Sequence, residues 1–431
     1  MKNSNAIAIL MALVCSTLLF PRTAAAEGTV DGAVQPDANH QSAKQSTEQS
    51  TEQSTEQTAE QTAEQTAGPA KNSVAETQKP PSDETPDQWT FWRGDAQATG
   101  TSASSLPDAP QLQWEYVVEG GAFDATALIV GDRVYVPDLD GEIYALDLET
   151  GQEIWKVETE TGFIASASFS DGLLVLADYD GFVWGLNAAN GKEIWKFETG
   201  AQIDAGANFY KTMVLVASED GTLYAIDRKT GELNWKYESG DQLQCSPTVA
   251  GQTTFLGGCD GQLHIVDLET GQATGDLLPL NSPTGSTPAT SGDMVVVPTH
   301  AGPIYAFNLN ERKQLWVFDD REKSPEVKTS PALTKDFAIV ATRAKRILAL
   351  NRADGSLAWE ALLRKRSDSS PAVADGRVWV AAFDGRIYAF DLKTGVQTWM
   401  TEVAGGFTAS PAIASNSLVV STSKGVVQCY R

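Results

Sequence analysis

Cysteine and histidine are both scarce. The chain has 431 residues but only 4 cysteines and 3 histidines. His40, His264 and His300 stand in unrelated settings, which argues against a histidine metal cluster and against a Ser/His/Asp or nucleophile-elbow arrangement. Three cysteines follow the leader region, Cys245, Cys259 and Cys429, too few for a disulfide scaffold, and their spacing fits no zinc or haem motif. Positive charge is also short: 32 Lys and Arg against 56 Asp and Glu give a formal net charge of −24. Phosphate binding needs clustered cations, so nucleic acid is not expected as the main partner, nor is broad attachment to anionic lipid. Long apolar runs are missing after the first turns of sequence. The mostly apolar stretch 6–20 follows Lys2 and falls short of the ~20 residues that span a bilayer.

That stretch, with "TAAAEG" at 23–28, reads as an export signal over residues 1–26, cleaved after Ala26. Lipidation at Cys15 is disfavoured by Val14, where such signals want a small residue. The mature protein is expected to be soluble and exported, periplasmic or secreted, with no transmembrane segment left after signal removal. Residues 27–86 hold few large apolar side chains and carry the array "STEQSTEQSTEQTAEQTAEQTA" at 46–67. Such a composition cannot bury enough surface to offset ordering entropy, so a disordered, low-complexity acidic linker is expected there.

From residue 87 a different grammar begins. Aligned turn positions fall at 140, 180, 220, 260, 301, 344, 384 and 424, with Ala or Pro thirteen residues before each. Eight units with a period near 40 mean a propeller or array. Each unit reads as four short strands. Asp-Gly between β-patterned runs marks a hairpin, and the "TG" turn before the fourth strand uses glycine's access to positive φ. Asp or Asn ends the third strand at 147, 187, 227, 267, 308, 351 and 391, where its oxygen can bond the turn's amides. Trp155, Trp195, Trp235, Trp316, Trp359 and Trp399 recur in the fourth strand, with Gly275 in the fourth unit's place. The eighth unit ends without a fourth strand, while "QLQWEYVV" at 111–118 carries Trp114 in matching register. The sequence therefore predicts an all-β, eight-bladed β-propeller whose last blade is completed by residues 111–118, with these seven Trp residues docking between blades.

The pattern "DGxxYAxDxxTGxxxW", the "SP" leading into inner strands and "WTFWRG" at 89–94 resemble the quinoprotein-like (pyrroloquinoline-quinone repeat) eight-bladed propellers across residues 87–431. That family includes BamB-type outer-membrane protein assembly scaffolds and quinone dehydrogenases that use calcium. The resemblance implies the fold and the interblade Trp role; function must come from the site. The dehydrogenases carry a vicinal Cys-Cys pair, and no two cysteines are adjacent here. Their catalytic Asp and calcium-binding Glu and Asn match no motif in this chain, and C-x-x-C-H is absent.

Three groups of residues are candidates for binding or stapling. Basic residues gather in the sixth unit, where Arg343, Lys345 and Arg346 replace the Asp-Gly turn and Arg364, Lys365 and Arg366 follow in the next interblade loop; "DDREKSPEVK" at 319–328 leads into this unit. This is a candidate docking patch, or a solvated rim. Asp124, Asp204 and Asp368, with Lys328, are expected near the channel mouth, where carboxylates can hold a divalent cation. Cys245 and Cys259 flank a hairpin and are expected nearly opposite, with Gly257 and Gly258 able to absorb a bulge; they form a candidate disulfide or two buried thiols. The function expected is a non-catalytic, monomeric envelope scaffold of the BamB type, without cofactor. The alternatives are a quinone- or small-ligand-binding propeller and a carbohydrate-binding module.

Overall fold

Two turns recur from blade to blade, and a docking tryptophan in seven of the eight. In the first, Asp147 Oδ1 accepts hydrogen bonds from Glu149 N–H (3.1 Å), Thr150 N–H (2.8 Å) and Thr150 Oγ1 (2.7 Å). Asp227, Asp267 and Asp391 do the same. The glycine that follows serves two ends. At Gly191 φ is +70°, and a Cβ would lie 2.8 Å from the Trp155 ring. The preceding blade's Trp lies flat on this bare backbone, as at Gly151, Gly231, Gly271, Gly355 and Gly395. The indole N–H then donates across the blade gap: Trp114 to Leu148 O (2.9 Å), Trp155 to Ala188 O (3.1 Å), Trp195 to Arg228 O (2.9 Å), Trp316 to Arg352 O (2.9 Å) and Trp359 to Leu392 O (2.9 Å). Trp399 instead meets Trp379 and Tyr430 edge-on or tilted, with ring centroids 5.7 and 6.0 Å away.

The structure, a computed structural model, describes residues 87–431. The expected signal peptide, linker, Cys15 and His40 lie outside the described residues. Eight antiparallel sheets follow in chain order, inner strand to outer. Blade 1 runs through Leu128–Val130, Arg133–Pro137, Glu142–Asp147 and Glu153–Glu158. Middle strands such as Leu173–Ala177 are buried at every position, because both faces of each sheet pack on neighbouring blades. The ring closes as the sequence predicts. Leu112–Val117 pairs antiparallel with Val426–Tyr430, placing Trp114 opposite Cys429, so no blade presents an unfinished sheet to solvent.

Blade 4 departs from the pattern, and its neighbour explains why. Its outer strand is broken into Gln272–Ala273 and Leu278–Pro279. Gly275 holds the Trp position, and Arg312 of blade 5 holds the position of the docking glycine, at φ 53°. The Arg312 guanidinium reaches back to Thr274 O and to Thr274 Oγ1 at 2.6 Å. A Cβ at Gly275 would lie 2.7 Å from Arg312 Nη1. Large and small residues have exchanged places across one interface.

The candidate disulfide of this blade is not supported by its register. Leu243 bridges Gly258, and Cys259 N–H donates to Gln242 O. Cys259 therefore sits opposite Gln242, not opposite Cys245. The buried Cys245 thiol donates to Gly257 O (3.2 Å) and accepts from Gly257 N–H (3.0 Å), and burial pushes its pKa up to about 12.

Candidate functional site

The segment 87–104 closes one end of the central channel. It travels round the inner strands, hydrogen-bonding them in turn. Trp89 pairs with Ile129 of blade 1, Thr90 O accepts from Phe169 N–H of blade 2, and Ala96 O accepts from Asn208 Nδ2 and Val249 N–H of blades 3 and 4. Gln97, Thr99 and Gly100 carbonyls serve Thr290, Leu333 and Val373 of blades 5 to 7. Thr101–Ser102 continues as a parallel strand on blade 7, and Asp87 and Ser104 reach Ser415 and Asn416 of blade 8. Inner-strand edges would otherwise leave buried amides unmet. At the centre Arg93 is fully buried, donating to Pro331 O and Pro371 O; burial lowers its pKa to about 9. Gly100 is required there, because a Cβ would strike the Arg93 guanidinium. The motif "WTFWRG" is thus a channel plug.

At the other end the chain leads into each inner strand, and the channel stays open. Two rings of residues line this end. The lower ring is a belt of hydroxyls in which each blade's N–H donates to the next blade's Ser or Thr oxygen: Thr126 to Ser166 (2.8 Å), Ser246 to Thr287 (3.0 Å), Thr287 to Ser330 (2.8 Å), Ser330 to Ser370 (2.9 Å), Ser370 to Ser410 (2.9 Å) and Ser410 to Thr126 (2.9 Å). Gly206 has no hydroxyl, so the belt breaks at blade 3. Ser246, 6 % exposed, has an Oγ with no hydrogen-bond partner among the described residues.

Above the belt stand Asp124, Ile164, Asp204, Gln244, Gly285, Lys328, Asp368 and Thr408. They enclose a blind pit of about 250 Å³ whose lining also includes Trp92 from the plug and Arg343. The structure therefore gathers all four channel-mouth residues, in unlike states. Asp124 accepts from Thr408 Oγ1. Asp368 takes a two-pronged bond from Arg343, at 2.7 and 3.0 Å. Lys328 lies 3.8 Å from Glu326. Asp204 faces no cation at bonding distance, and its Oδ1 is buried without a hydrogen bond. Burial, then the neighbouring Glu219 carboxylate, pushes its pKa up to about 7. Gln244 Nε2 donates to Glu219 Oε1 at 3.0 Å. His300 Nε2 accepts from Gly285 N–H at 3.1 Å, and burial followed by Lys328 lowers its pKa. Among the described residues no three His, Cys, Asp or Glu side chains are grouped to hold a metal ion, so the three separated aspartates do not assemble the cation site that their sequence positions allow.

The six basic residues of the sixth unit divide into two sets. Arg343 also donates to Glu326 (2.9 Å). Arg346 is 5 % exposed and held by Glu360 (3.0 Å), Asp320 (2.8 Å) and Ser324 (2.9 Å). Arg366 lies 3.4 Å from Asp368 and stacks over Phe383. Loop 319–328 supplies Asp320 and Glu326, countercharges that a turn built from arginines requires, and the Ser324 hydroxyl that accepts from Arg346. Lys345, with φ 65° in the glycine place, and Arg364 and Lys365 are exposed; no carboxylate lies within ion-pair distance of them among the described residues. Beside them Leu362 is 72 % exposed and, with Arg364 and Met400, lines a groove between blades 6 and 7.

The hydroxyl belt, Glu219 and the plug are site features that residue-by-residue inspection of motifs misses. The Ser or Thr just before seven of the eight Ala or Pro anchors, with Gly206 before Ala207, was the available signal.

Comparison with known proteins agrees with this architecture. The solved BamB of Moraxella catarrhalis superposes with a TM-score of 0.65 at 18% identity, covering 75% of this chain and 97% of that one. The quinohemoprotein alcohol dehydrogenase of Comamonas testosteroni gives 0.70 at 14% identity, with 80% of each chain covered. Both show the fold alone. Among curated relatives, BamB of Moranella endobia is 24% identical over 155 residues, 32% of this chain and 39% of that protein; BamB of Yersinia pestis is 27% identical over 131 residues, 27% of this chain and 33% of that protein. The chain thus spans between a third and two fifths of the length of these curated relatives. A family profile described as outer membrane protein assembly factor BamB matches residues 87–206, 186–275 and 278–431, and the chain belongs to that family.

Proposed function

We propose that this propeller is a non-catalytic scaffold of the cell envelope that docks a protein partner through the rim of blades 6 and 7, as part of outer-membrane protein assembly. One observation carries the choice of surface: on a chain of net charge −24, Lys345, Arg364 and Lys365 stand exposed without countercharges beside the apolar Leu362. Exposed cations next to an uncovered leucine suit an acidic segment with an apolar anchor, since charge sets orientation and approach while the buried side chain supplies affinity. Family membership supports the assembly role and the envelope location.

Quinone catalysis is the weaker reading because the pit's donor set does not suit it. The quinone is a tricarboxylate, and the carboxylates lining the pit, Asp124, Asp204 and Asp368, outnumber its lining cations, Lys328 and Arg343. Nor does the plug, with Trp92 at the floor, offer an adjacent-cysteine platform. The docking reading is tested by the triple variant Lys345→Glu, Arg364→Glu and Lys365→Glu, used as bait against native envelope extract. Loss of a partner that the wild-type chain retains is expected. Equal recovery by both baits would end it.

A further inference from the structure

At the break in the hydroxyl belt, three polar atoms with no protein partner meet in the pit. Asp204 Oδ1 and Trp92 Nε1 are buried and unbonded. Ser246, more than nine-tenths buried, turns an uncommitted hydroxyl into the same cavity. Gly206 leaves room beside two of them: a Cβ placed on it would lie 3.5 Å from Ser246 Oγ and 3.6 Å from Trp92 Cδ1, the carbon bonded to the indole nitrogen, and Asp204 lines the same pit. Buried polar atoms normally find partners, so the unmet acceptors Asp204 Oδ1 and Ser246 Oγ in one pit mark the place of a donor.

The charges of the walls define its class. On the blade 3 side stand Asp204 and Glu219 with no cation near. Across the pit the lining cations are Lys328 and Arg343; Arg343 is paired with Asp368 and Glu326, while Lys328 has only Glu326 at 3.8 Å, so Lys328 is the cation least tightly held. We propose that the pit binds a compact zwitterionic amine, whose ammonium donates to Asp204 Oδ1 and Ser246 Oγ while its carboxylate turns toward Lys328. A diamine would place its second cation against the basic wall, and a dicarboxylate would meet Asp204. The volume of about 250 Å³ suits a molecule of amino-acid size. Because the pit's floor is the plug and its mouth is the open face, such a ligand enters from one side only. The inference does not depend on docking at blades 6 and 7.

Isothermal titration of the full chain with 4-aminobutyrate, butylammonium and butyrate tests it. The three probes share a four-carbon length and differ in charge. Binding of 4-aminobutyrate is expected, with butylammonium weaker by about tenfold and butyrate without measurable heat, since each lost charged hydrogen bond costs about that factor. Asp204→Asn should weaken 4-aminobutyrate by at least about tenfold, and Lys328→Met should erase its advantage over butylammonium. Gly206→Ser, which supplies the missing hydroxyl to the belt beside Ser246 and Trp92, should also abolish binding while leaving the thermal unfolding intact. No binding of 4-aminobutyrate to the folded wild type would overturn the proposal. So would butyrate binding as well as 4-aminobutyrate, or an Asp204→Asn variant that binds like wild type.

Discussion

Replacing Asp204 with Asn should stabilise this protein, and the gain should grow with pH. The folded-state pKa of Asp204 is raised from 3.8 to about 7 by burial and by Glu219. A carboxyl raised in this way holds a proton in the folded chain that the unfolded chain has released. Its contribution is therefore least harmful below pH 3.8 and becomes fully unfavourable once the pH has risen past about 7. At about 1.4 kcal/mol per pH unit, the whole window amounts to a ceiling of about 4 kcal/mol. The pit is open to water on one side, which reduces this to about 2 kcal/mol. Asparagine keeps the shape, stays neutral throughout and can donate to Glu219, as the protonated Asp204 carboxyl does. Urea unfolding followed by tryptophan fluorescence, at unit steps from pH 5 to pH 8, should show the stability gap between variant and wild type widening by roughly 1–3 kcal/mol. A gap that is independent of pH, or an Asn variant less stable at pH 8, would refute the reasoning.

Two further outcomes follow from the blade contacts. Trp195→Ala should cost about 3–5 kcal/mol, and Trp235→Ala about 1 kcal/mol less, because the Trp235 indole N–H has no partner; equal shifts in urea midpoint would contradict the role assigned to the interblade hydrogen bond. For the exchanged pair in blades 4 and 5, Gly275→Trp and Arg312→Gly should each destabilise alone, one by collision and the other by leaving a gap. Combined, they should lose less than the sum, with a coupling of about 1–3 kcal/mol in a double-mutant cycle; strict additivity would show that the two positions do not share one contact.

The repeat made most of the fold legible. Turn residues, the Asx closures and the spaced tryptophans are local requirements that recur with a fixed period, so alignment of the chain with itself exposes them. Circular closure followed as well, since one blade lacked an outer strand and a spare strand carried Trp114 in register. The candidate site was only partly legible. Asp124, Asp204, Asp368 and Lys328 line one pit, yet nothing in their spacing tells which of them already has a partner. Arg343, Arg346 and Arg366 were half of the candidate cationic patch, and Glu326 and Asp320 of loop 319–328 together with Glu360 and Asp368 neutralise them. Cys245 and Cys259 looked opposed, and the register of one hairpin sets them apart.

By itself, then, the sequence determined what depends on neighbours along the chain: eight blades, their turns, their docking rings and the closing strand. Tertiary structure alone decided what depends on neighbours across the ring. The plug of residues 87–104 touches all eight blades, the hydroxyl belt breaks at Gly206, and Asp204 is left without a cation because the bonds concerned join residues some 40 to 280 positions apart. Period and composition carry no information about those distances. Hydrogen-bond satisfaction and charge balance are set only once the ring has brought the blades together.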